Sequence, residues 1–206
     1  MTLSAAILAG GRATRYDGRD KGALIVDGRS IRERQIAELS TIAGEIFLVG
    51  LPRRSEGAKA GGDNTPGGLR HISDRIPGGG PLGGLYSALV EATGDVTIVV
   101  ACDMPFLSAP LLRHLAACTR DADAAVPRTS GGYHPLCAAY TRACVEPAAR
   151  RLADGRLKMT DLFDDVRVRA VADEELAAFG DVARLLANVN SPDDYRELTA
   201  LQTHQP

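Results

Sequence analysis

The sequence predicts an α/β fold in which a mostly parallel sheet carries helices on both faces. Short apolar runs of strand length recur along the chain and alternate with segments of helical period. One early run ends in glycines, and a later, wholly apolar run leads into an aspartate. Because connections between parallel strands are right-handed, this alternation indicates a right-handed parallel α/β sheet.

Length and composition indicate one domain. The chain has 206 residues, of which 45% are hydrophobic and only 4% aromatic, so the core must consist mainly of aliphatic side chains. A chain of this length can form one domain with a full core. Aliphatic packing is typical of helices that lie against a parallel sheet. We therefore expect residues 1–206 to form a single domain.

Charge and cysteine content exclude several classes of protein. A net charge of −2 offers no basic face for nucleic acid. The four cysteines contain no C-x-x-C pair, so we expect reduced core thiols. No apolar run approaches membrane-spanning length, and Gly10 interrupts the amino terminus before a secretory segment develops. The sequence predicts a cytoplasmic protein that binds neither nucleic acid nor a membrane.

Individual elements follow from the same patterns. The predicted strands are residues 5–8, 45–49, 69–72, 96–100, 124–126 and 166–171, with a further strand over 133–140. The predicted helices are residues 30–43, 82–92, 108–118, 141–153 and 191–201. Ser30 and Glu33 form a capping box at the first helix. Residues 52–68, rich in Gly, Pro and charge, are predicted to be a surface loop.

The first strand runs into the sequence Leu8-Ala9-Gly10-Gly11, after which a loop with three arginines, including Arg15, leads to Lys21. Glycine permits close approach of a polyanion, backbone N–H groups donate to it, and the basic side chains supply charge. Open α/β sheets bind ligands at the carboxyl ends of their strands. The pattern therefore predicts a nucleoside triphosphate site, with an ordinary tight turn at the two glycines as the alternative.

Two common phosphate-binding motifs are absent. A Walker A motif requires Gly-Lys-Ser/Thr, whereas Lys21 is followed by Gly22 and Ala23. A dinucleotide fingerprint requires G-x-G-x-x-G, and residues 10–15 read Gly-Gly-Arg-Ala-Thr-Arg. The predicted site is therefore neither a P-loop nor a standard dinucleotide fold.

A second glycine cluster over residues 77–84 follows Asp74 and leads directly into a helix. So many glycines are costly in unfolded-chain entropy, and a backbone that passes close to a base or sugar is one structure that requires them. A flexible turn is the alternative. Asp74 is a candidate for bonding a ribose hydroxyl or a base edge, unless it is simply solvated.

The apolar run over residues 96–100 continues through Ala101 and Cys102 to Asp103. When the neighbouring strand ends in a phosphate-binding loop, an acidic side chain at this position is expected to be a metal ligand. Mg²⁺ prefers one or two carboxylates together with phosphate oxygens, so Asp103 alone is sufficient. The alternative is that Asp103 caps a turn before Pro105.

Taken in order, these motifs closely resemble the molybdenum cofactor guanylyltransferases, the MobA-like branch of the nucleotidyltransferases. The matching stretches are residues 8–21, 74–84, 102–106, 133–136 and 188–194, so the resemblance spans nearly the whole chain. It implies a Rossmann-like nucleotidyltransferase fold, with nucleotide bound by the N-terminal part and the pterin by the C-terminal part. It also implies transfer of GMP from GTP to the terminal phosphate of molybdenum-molybdopterin, with Mg²⁺ as cofactor.

The resemblance assigns roles to individual residues. Lys21, Arg15 and Asp103 are the implied catalytic residues, and Asp103 is the implied Mg²⁺ ligand. The residues implied to bind nucleotide or pterin are Leu8, Ala9, Gly10, Gly11, Lys21, Asp74, Gly80, Asp103, His134, Asn188 and Asn190. Of these, His134 and the two asparagines would lie towards the pterin. The alternative for His134 is a histidine that binds no ligand, and the alternative for Asn190 is a place at the start of a helix.

The implied partners are GTP, molybdenum-molybdopterin, other molybdenum cofactor biosynthesis proteins, and apo-molybdoenzymes or their chaperones. The nearest competing function is a cytidylyltransferase of the same cofactor, whose first loop typically reads Leu-Ala-Ala-Gly. A sugar- or alditol-phosphate nucleotidyltransferase is a more distant one. A non-catalytic nucleotide-binding partner of a molybdoenzyme is a third, although it would not need both Lys21 and Asp103.

Overall fold

The structure, a computed structural model, describes residues 1–9, 21–50, 69–189, 191, 193, 194 and 196. Its strands are β1 (Leu3–Leu8), β2 (Ile25–Val26), β3 (Arg29–Ser30), β4 (Glu45–Val49), β5 (Leu69–Ile72), β6 (Val96–Ala101), β7 (Ala124–Thr129), β8 (Gly132–Tyr133), β9 (Cys137–Thr141) and β10 (Val168–Ala172). Its α-helices are α1 (Ile31–Ser40), α2 (Gly80–Glu91), α3 (Ala109–Ala117), α4 (Val145–Ala153), α5 (Asp173–Leu176) and α6 (Val182–Leu185).

Eight strands form one mixed, mostly parallel sheet in the order β10-β7-β9-β6-β1-β4-β5, with β8 paired to β7. The pairs β1–β4, β1–β6, β4–β5 and β7–β10 are parallel. Strand β9 is antiparallel to both β6 and β7, so β7 runs in the same direction as β6. The predicted fold class is confirmed.

Helices cover both faces of the sheet because alternate strand residues point to opposite faces. Ala5 and Ile7 of β1 belong to an apolar cluster with side chains from α1, α3 and α5. Ala6 and Leu8 belong to a second cluster with side chains from α2 and α4. Across the described part of the chain, no helix is long and apolar enough to span a membrane.

Strand β1 is the point at which the chain changes direction across the sheet. Strands β4 and β5 add on one side of β1, and α2 then returns the chain to β6 on the other side. Leu8 and Ala101, the last residues of β1 and β6, are paired in register. Such a switch point is where open α/β sheets bind ligands.

Some predicted elements differ from the observed ones. The predicted strand over 133–140 is interrupted, because Cys137 N donates to His134 O (3.1 Å) in a turn between β8 and β9. The predicted helix over 141–153 begins as a 3₁₀ turn at Arg142–Cys144 and becomes α-helical at Val145. The predicted loop over 52–68 and most of the terminal helix over 191–201 lie outside the described residues.

The predicted capping box is confirmed, and beside it lies a hairpin that was not predicted. Ser30 Oγ accepts from Glu33 N (3.2 Å), while Glu33 Oε2 accepts from Ser30 N (2.8 Å). Strands β2 and β3 precede the helix and are joined by Asp27 and Gly28, with φ of 48° and 77°. Both values lie in the left-handed region that a tight hairpin turn requires.

Candidate active site

The candidate active site centres on Asp103, which lies in the turn directly after β6. Its side chain is only 14% exposed, and its Oδ2 lies 3.7 Å from Lys21 Nζ. Its Oδ1 is buried and has no hydrogen-bond partner among the described residues. Burial raises the pKa of Asp103, while the Lys21 charge acts in the opposite direction. A buried carboxylate with an oxygen left open is suited to a cation.

Lys21 reaches this site from a short 3₁₀ turn, Lys21–Ala23, that precedes the β2–β3 hairpin. The turn is closed by the bond from Leu24 N to Lys21 O (3.0 Å). Only 12% of the Lys21 side chain is exposed, so the ammonium and the Asp103 carboxylate share a mostly dry environment. The structure therefore brings together two of the three predicted catalytic residues. The third, Arg15, lies outside the described residues, as do Gly10, Gly11 and Asn190.

Leu8 and Ala9 stand at the same edge of the sheet as Asp103. Cys102 N donates to Leu8 O (3.2 Å), and Ala9 N donates to Val49 O (2.9 Å). The Ala9 N–H is thus part of the sheet and is not directed at a ligand. Backbone donors for a phosphate would therefore have to come from residues after Ala9.

Helix α1 holds the backbone on both sides of Asp103. Gln35 is 1% exposed, and its Nε2 donates to Ala101 O (2.7 Å) and Met104 O (3.0 Å). Arg34 Nε donates to Pro105 O (3.2 Å). A buried carbonyl needs a hydrogen-bond donor, and these side chains supply donors to backbone carbonyls beyond the bonds of the sheet. Gln35 was not identified from the sequence, because a glutamine in an amphipathic helix gives no sign that it is buried.

Asn188 is placed beside the site by its neighbour Val189. Val189 N donates to Asp103 O (2.7 Å), and its side chain is fully buried in a small cluster with Val26, Ile31 and Phe106. Asn188 itself is exposed. Val189 therefore packs directly on the Asp103 turn, and the site role of Asn188 stays a prediction.

Gly80 is the first residue of α2, and Asp74 lies in the loop between β5 and α2. Asp74 Oδ1 accepts from Ile76 N (3.1 Å) and from Ser87 Oγ (3.3 Å), so this carboxylate braces the loop that enters α2. Gly80 has a φ of 60°, which side chains rarely adopt, and this explains its glycine without a ligand. A Cβ on Gly84 would lie 3.3 Å from Leu8 Cδ1, so α2 packs closely against the end of β1.

His134 lies at the same sheet edge, one strand further along. Leu136 O accepts from Ala101 N (2.9 Å), which fixes the turn between β8 and β9 beside the end of β6. His134 Nε2 is 3.0 Å from Thr129 Oγ1, and burial lowers the pKa of His134 although Asp173 opposes this. The imidazole borders a cavity of about 610 Å³ whose lining includes Asp173, Glu174 and Leu186.

Comparisons with known proteins show which family this chain resembles in sequence. The sequence profile described as "MobA-like NTP transferase domain" matches residues 5–171. A protein named probable molybdenum cofactor guanylyltransferase from Pelotomaculum thermopropionicum is 36% identical over 91% of this chain and 87% of its own length. A second with that name, from Carboxydothermus hydrogenoformans, is 34% identical over 95% of this chain and 94% of its own length.

Solved structures show the same fold. Molybdopterin-guanine dinucleotide biosynthesis protein A from Archaeoglobus fulgidus superposes with a TM-score of 0.79 at 23% identity, covering 98% of this chain and all of the other. A 4-diphosphocytidyl-2C-methyl-D-erythritol synthase from Anaerococcus prevotii gives 0.69 at 16% identity, covering 98% and 96%. The profile match and the sequence relatives identify the family: the chain is a nucleotidyltransferase and belongs to the MobA-like NTP transferases.

Proposed function

We propose that this protein is a molybdenum cofactor guanylyltransferase, which transfers GMP from GTP to the terminal phosphate of molybdenum-molybdopterin. The observation that carries the proposal is the buried Asp103 beside Lys21 at the switch point of the sheet. The names of the sequence relatives supply the substrate class. Other molybdenum cofactor biosynthesis proteins and apo-molybdoenzymes or their chaperones are proposed as partners that deliver the acceptor or receive the product.

The proposed reaction is a direct displacement at phosphorus. An oxygen of the acceptor phosphate forms a bond to the α-phosphorus of GTP, and the bond from that phosphorus to the α,β-bridging oxygen breaks. The electron pair leaves with pyrophosphate, and the product is molybdopterin guanine dinucleotide. The nucleophile is already an anion, so the site needs positioning and charge neutralisation more than a strong base.

Asp103 is the residue that we propose as the ligand of Mg²⁺. The buried Oδ1 of Asp103 supports this assignment, because it has no hydrogen-bond partner among the described residues and is therefore suited to bind a cation. A bound Mg²⁺ neutralises charge on the transferring phosphate. Lys21 Nζ, now 3.7 Å from Asp103 Oδ2, is close enough to contribute its charge to the same phosphates. Arg15 is proposed to add a further positive charge.

The two halves of the chain are proposed to bind different substrates. Leu8, Ala9, Gly10 and Gly11 are proposed to bind the nucleotide, together with Asp74, which precedes α2, and Gly80, which begins it. The acceptor is proposed to occupy the cavity beside His134, and Asn188 and Asn190 are proposed to take part in binding it. Burial lowers the pKa of His134 and so favours the neutral ring, which can both donate and accept hydrogen bonds. Asp173 and Glu174 offer acceptors for the amino group of a pterin.

The direct test is to incubate the protein with Mg²⁺, molybdopterin and each nucleoside triphosphate in turn. We expect pyrophosphate release and a guanine dinucleotide product with GTP, and no turnover with the other nucleoside triphosphates. A cytosine dinucleotide would replace the proposal by a cytidylyltransferase. Turnover only with a sugar or alditol phosphate would assign a different acceptor, and binding without any turnover would indicate an accessory protein.

We expect GTP to raise the Tm of the protein more than CTP, ATP or UTP at equal concentration. A ligand that binds only the native state stabilises it, by about 2.7 kcal/mol at a hundred times its Kd. The measurement is thermal unfolding with Mg²⁺ present. ITP, which lacks the 2-amino group of guanine, serves as the matched control for base recognition. A larger shift with CTP would contradict the guanylyl assignment and leave the fold assignment intact.

Gln35→Leu is expected to slow transfer and to weaken activation by Mg²⁺. The variant removes both donors to Ala101 O and Met104 O, and a displacement of a catalytic group by ~1 Å costs about a hundredfold in rate. Leaving Met104 O without its donor should also cost about 1–3 kcal/mol of stability, whereas Ala101 O keeps its bond from Met104 N (3.4 Å). The measurement is kcat as a function of Mg²⁺ concentration, well below the Tm of the variant.

Leu39→Ala is the control for Gln35→Leu, because Leu39 is buried on the same helix one turn later and has no polar atom to hold the turn. It should lose about 2–5 kcal/mol of stability and keep its Mg²⁺ dependence. If both variants lose activity to the same extent, Gln35 only stabilises the fold.

A further inference from the structure

His114, Cys118 and Glu175 converge on one point, remote in the fold from the Asp103 turn. His114 lies on α3, Cys118 follows the last residue of that helix, and Glu175 lies on α5. One donor atom from each lies within 4.8 Å of the other two, and all three side chains are partly buried. Helix α3 begins after the Asp103 turn and is about 13 Å long at 1.5 Å per residue, so this cluster stands near its far end.

The arrangement is held by contacts outside the three donors. His114 Nε2 lies 2.6 Å from Glu175 Oε1 and 3.5 Å from Cys118 Sγ. Glu175 Oε2 accepts from Arg169 Nη2 (2.8 Å), and the His114 ring packs at 5.0 Å on that of Phe179. Carboxylates that bind metals are usually oriented by hydrogen bonds of the kind that Arg169 makes to Glu175.

The donor set is that of a zinc site, and the spacing between His114 and Cys118 fits one. Imidazole nitrogen, thiolate sulfur and carboxylate oxygen are the protein ligands of Zn²⁺, whereas Mg²⁺ prefers oxygen. Tetrahedral Zn²⁺ with bonds of about 2.0–2.3 Å separates its N and S ligands by roughly 3.5 Å, which matches the observed 3.5 Å. It separates N and O ligands by roughly 3.3 Å, so Glu175 Oε1 has to move outward from its 2.6 Å contact.

We propose that His114, Cys118 and Glu175 bind a Zn²⁺ ion, independently of the nucleotidyl transfer site. Binding replaces the proton on Cys118 Sγ by a sulfur–zinc bond, and that proton passes to solvent. Three protein ligands leave the fourth tetrahedral position to water. The ion would connect the end of α3 to α5, whose Asp173 and Glu174 line the cavity beside His134.

Co²⁺ is a suitable probe because its bond to a thiolate produces a near-ultraviolet charge-transfer absorption. The full-length protein is freed of metal with a chelator and titrated with Co²⁺ and then with Zn²⁺. We expect one thiolate–Co²⁺ band that Zn²⁺ abolishes by displacement. Cys118→Ser should lose this band. Its Zn²⁺ affinity, measured by equilibrium dialysis, should fall more than about a hundredfold, which exceeds the loss expected when a side chain that only orients a ligand is removed.

Two further variants test where the metal binds and which side chains hold it. Cys102→Ala removes the thiol next to Asp103 and should keep the band; loss of the band there would put the thiolate-bound metal at the transfer site and overturn the proposal. Glu175→Gln can still hydrogen-bond His114 but is a poor Zn²⁺ ligand, so its metal-free Tm should stay unchanged while Zn²⁺ affinity falls. Equal Zn²⁺ binding by wild type and Cys118→Ser would show that the cluster is only a histidine–glutamate hydrogen bond beside a thiol.

Discussion

Asp103→Asn is expected to abolish nucleotidyl transfer and to leave the protein folded. The substitution keeps the size and shape of a side chain that is 14% exposed, and it replaces the charged carboxylate by a neutral amide. An amide is a much weaker ligand for Mg²⁺ than a carboxylate, and charge neutralisation on the transferring phosphate contributes several kcal/mol. We therefore expect kcat to fall at least about a thousandfold.

The measurement is kcat at saturating GTP over a wide range of Mg²⁺ concentration, with circular dichroism and Tm as checks on folding. Asp121→Asn is the matched control, because Asp121 is exposed and precedes β7, at the opposite edge of the sheet. That variant should behave like wild type. Near-normal kcat with unchanged Mg²⁺ dependence in Asp103→Asn would mean that Asp103 only pairs with Lys21.

Most of the architecture could be predicted because local signals and tertiary structure agree. The alternation of apolar runs with capped helices located the strands of the sheet and α1, α2 and α3 to within a few residues. The hairpin at Asp27-Gly28 was missed although this dipeptide is a strong turn signal, because its strands are only two residues long. The break between β8 and β9 was missed, although the strand run contains Pro135, which lacks an N–H for continuous pairing.

The candidate site was only partly accessible from the sequence. Strand ends are visible in a sequence, and an acid after a wholly apolar run identified Asp103 because parallel strands share an edge. The ion pair with Lys21 was not visible, since it joins residues 82 positions apart through the fold. Gln35 and the bracing bonds of Asp74 were also missed, because burial of a polar side chain depends on tertiary packing rather than on local pattern.

Lys21→Ala is expected to weaken GTP binding and slow transfer. Losing a charge-assisted bond to phosphate costs on the order of 1.5–3 kcal/mol, or about tenfold to a hundredfold in Kd. From the sequence, Lys21 is a loop residue whose replacement should change the stability of the fold little. The structure corrects this expectation. Its side chain is only 12% exposed and lies beside the buried Asp103, so removing it leaves a carboxylate poorly compensated, and we expect Tm to fall as well.

The double variant Lys21→Ala/Asp103→Asn separates the two roles of Lys21. It contains no uncompensated charge, so its Tm should recover towards wild type, while GTP affinity and turnover should stay low. Lys21→Arg should restore Tm more completely than turnover, because the planar guanidinium and the compact ammonium direct their donors differently. The measurements are Kd for GTP by calorimetry, kcat and Tm on wild type and all three variants. If Lys21→Ala lowers Tm but leaves the Kd for GTP and kcat unchanged, Lys21 serves only as the counter-ion of Asp103, and phosphate recognition must come from Arg15 and the glycine loop.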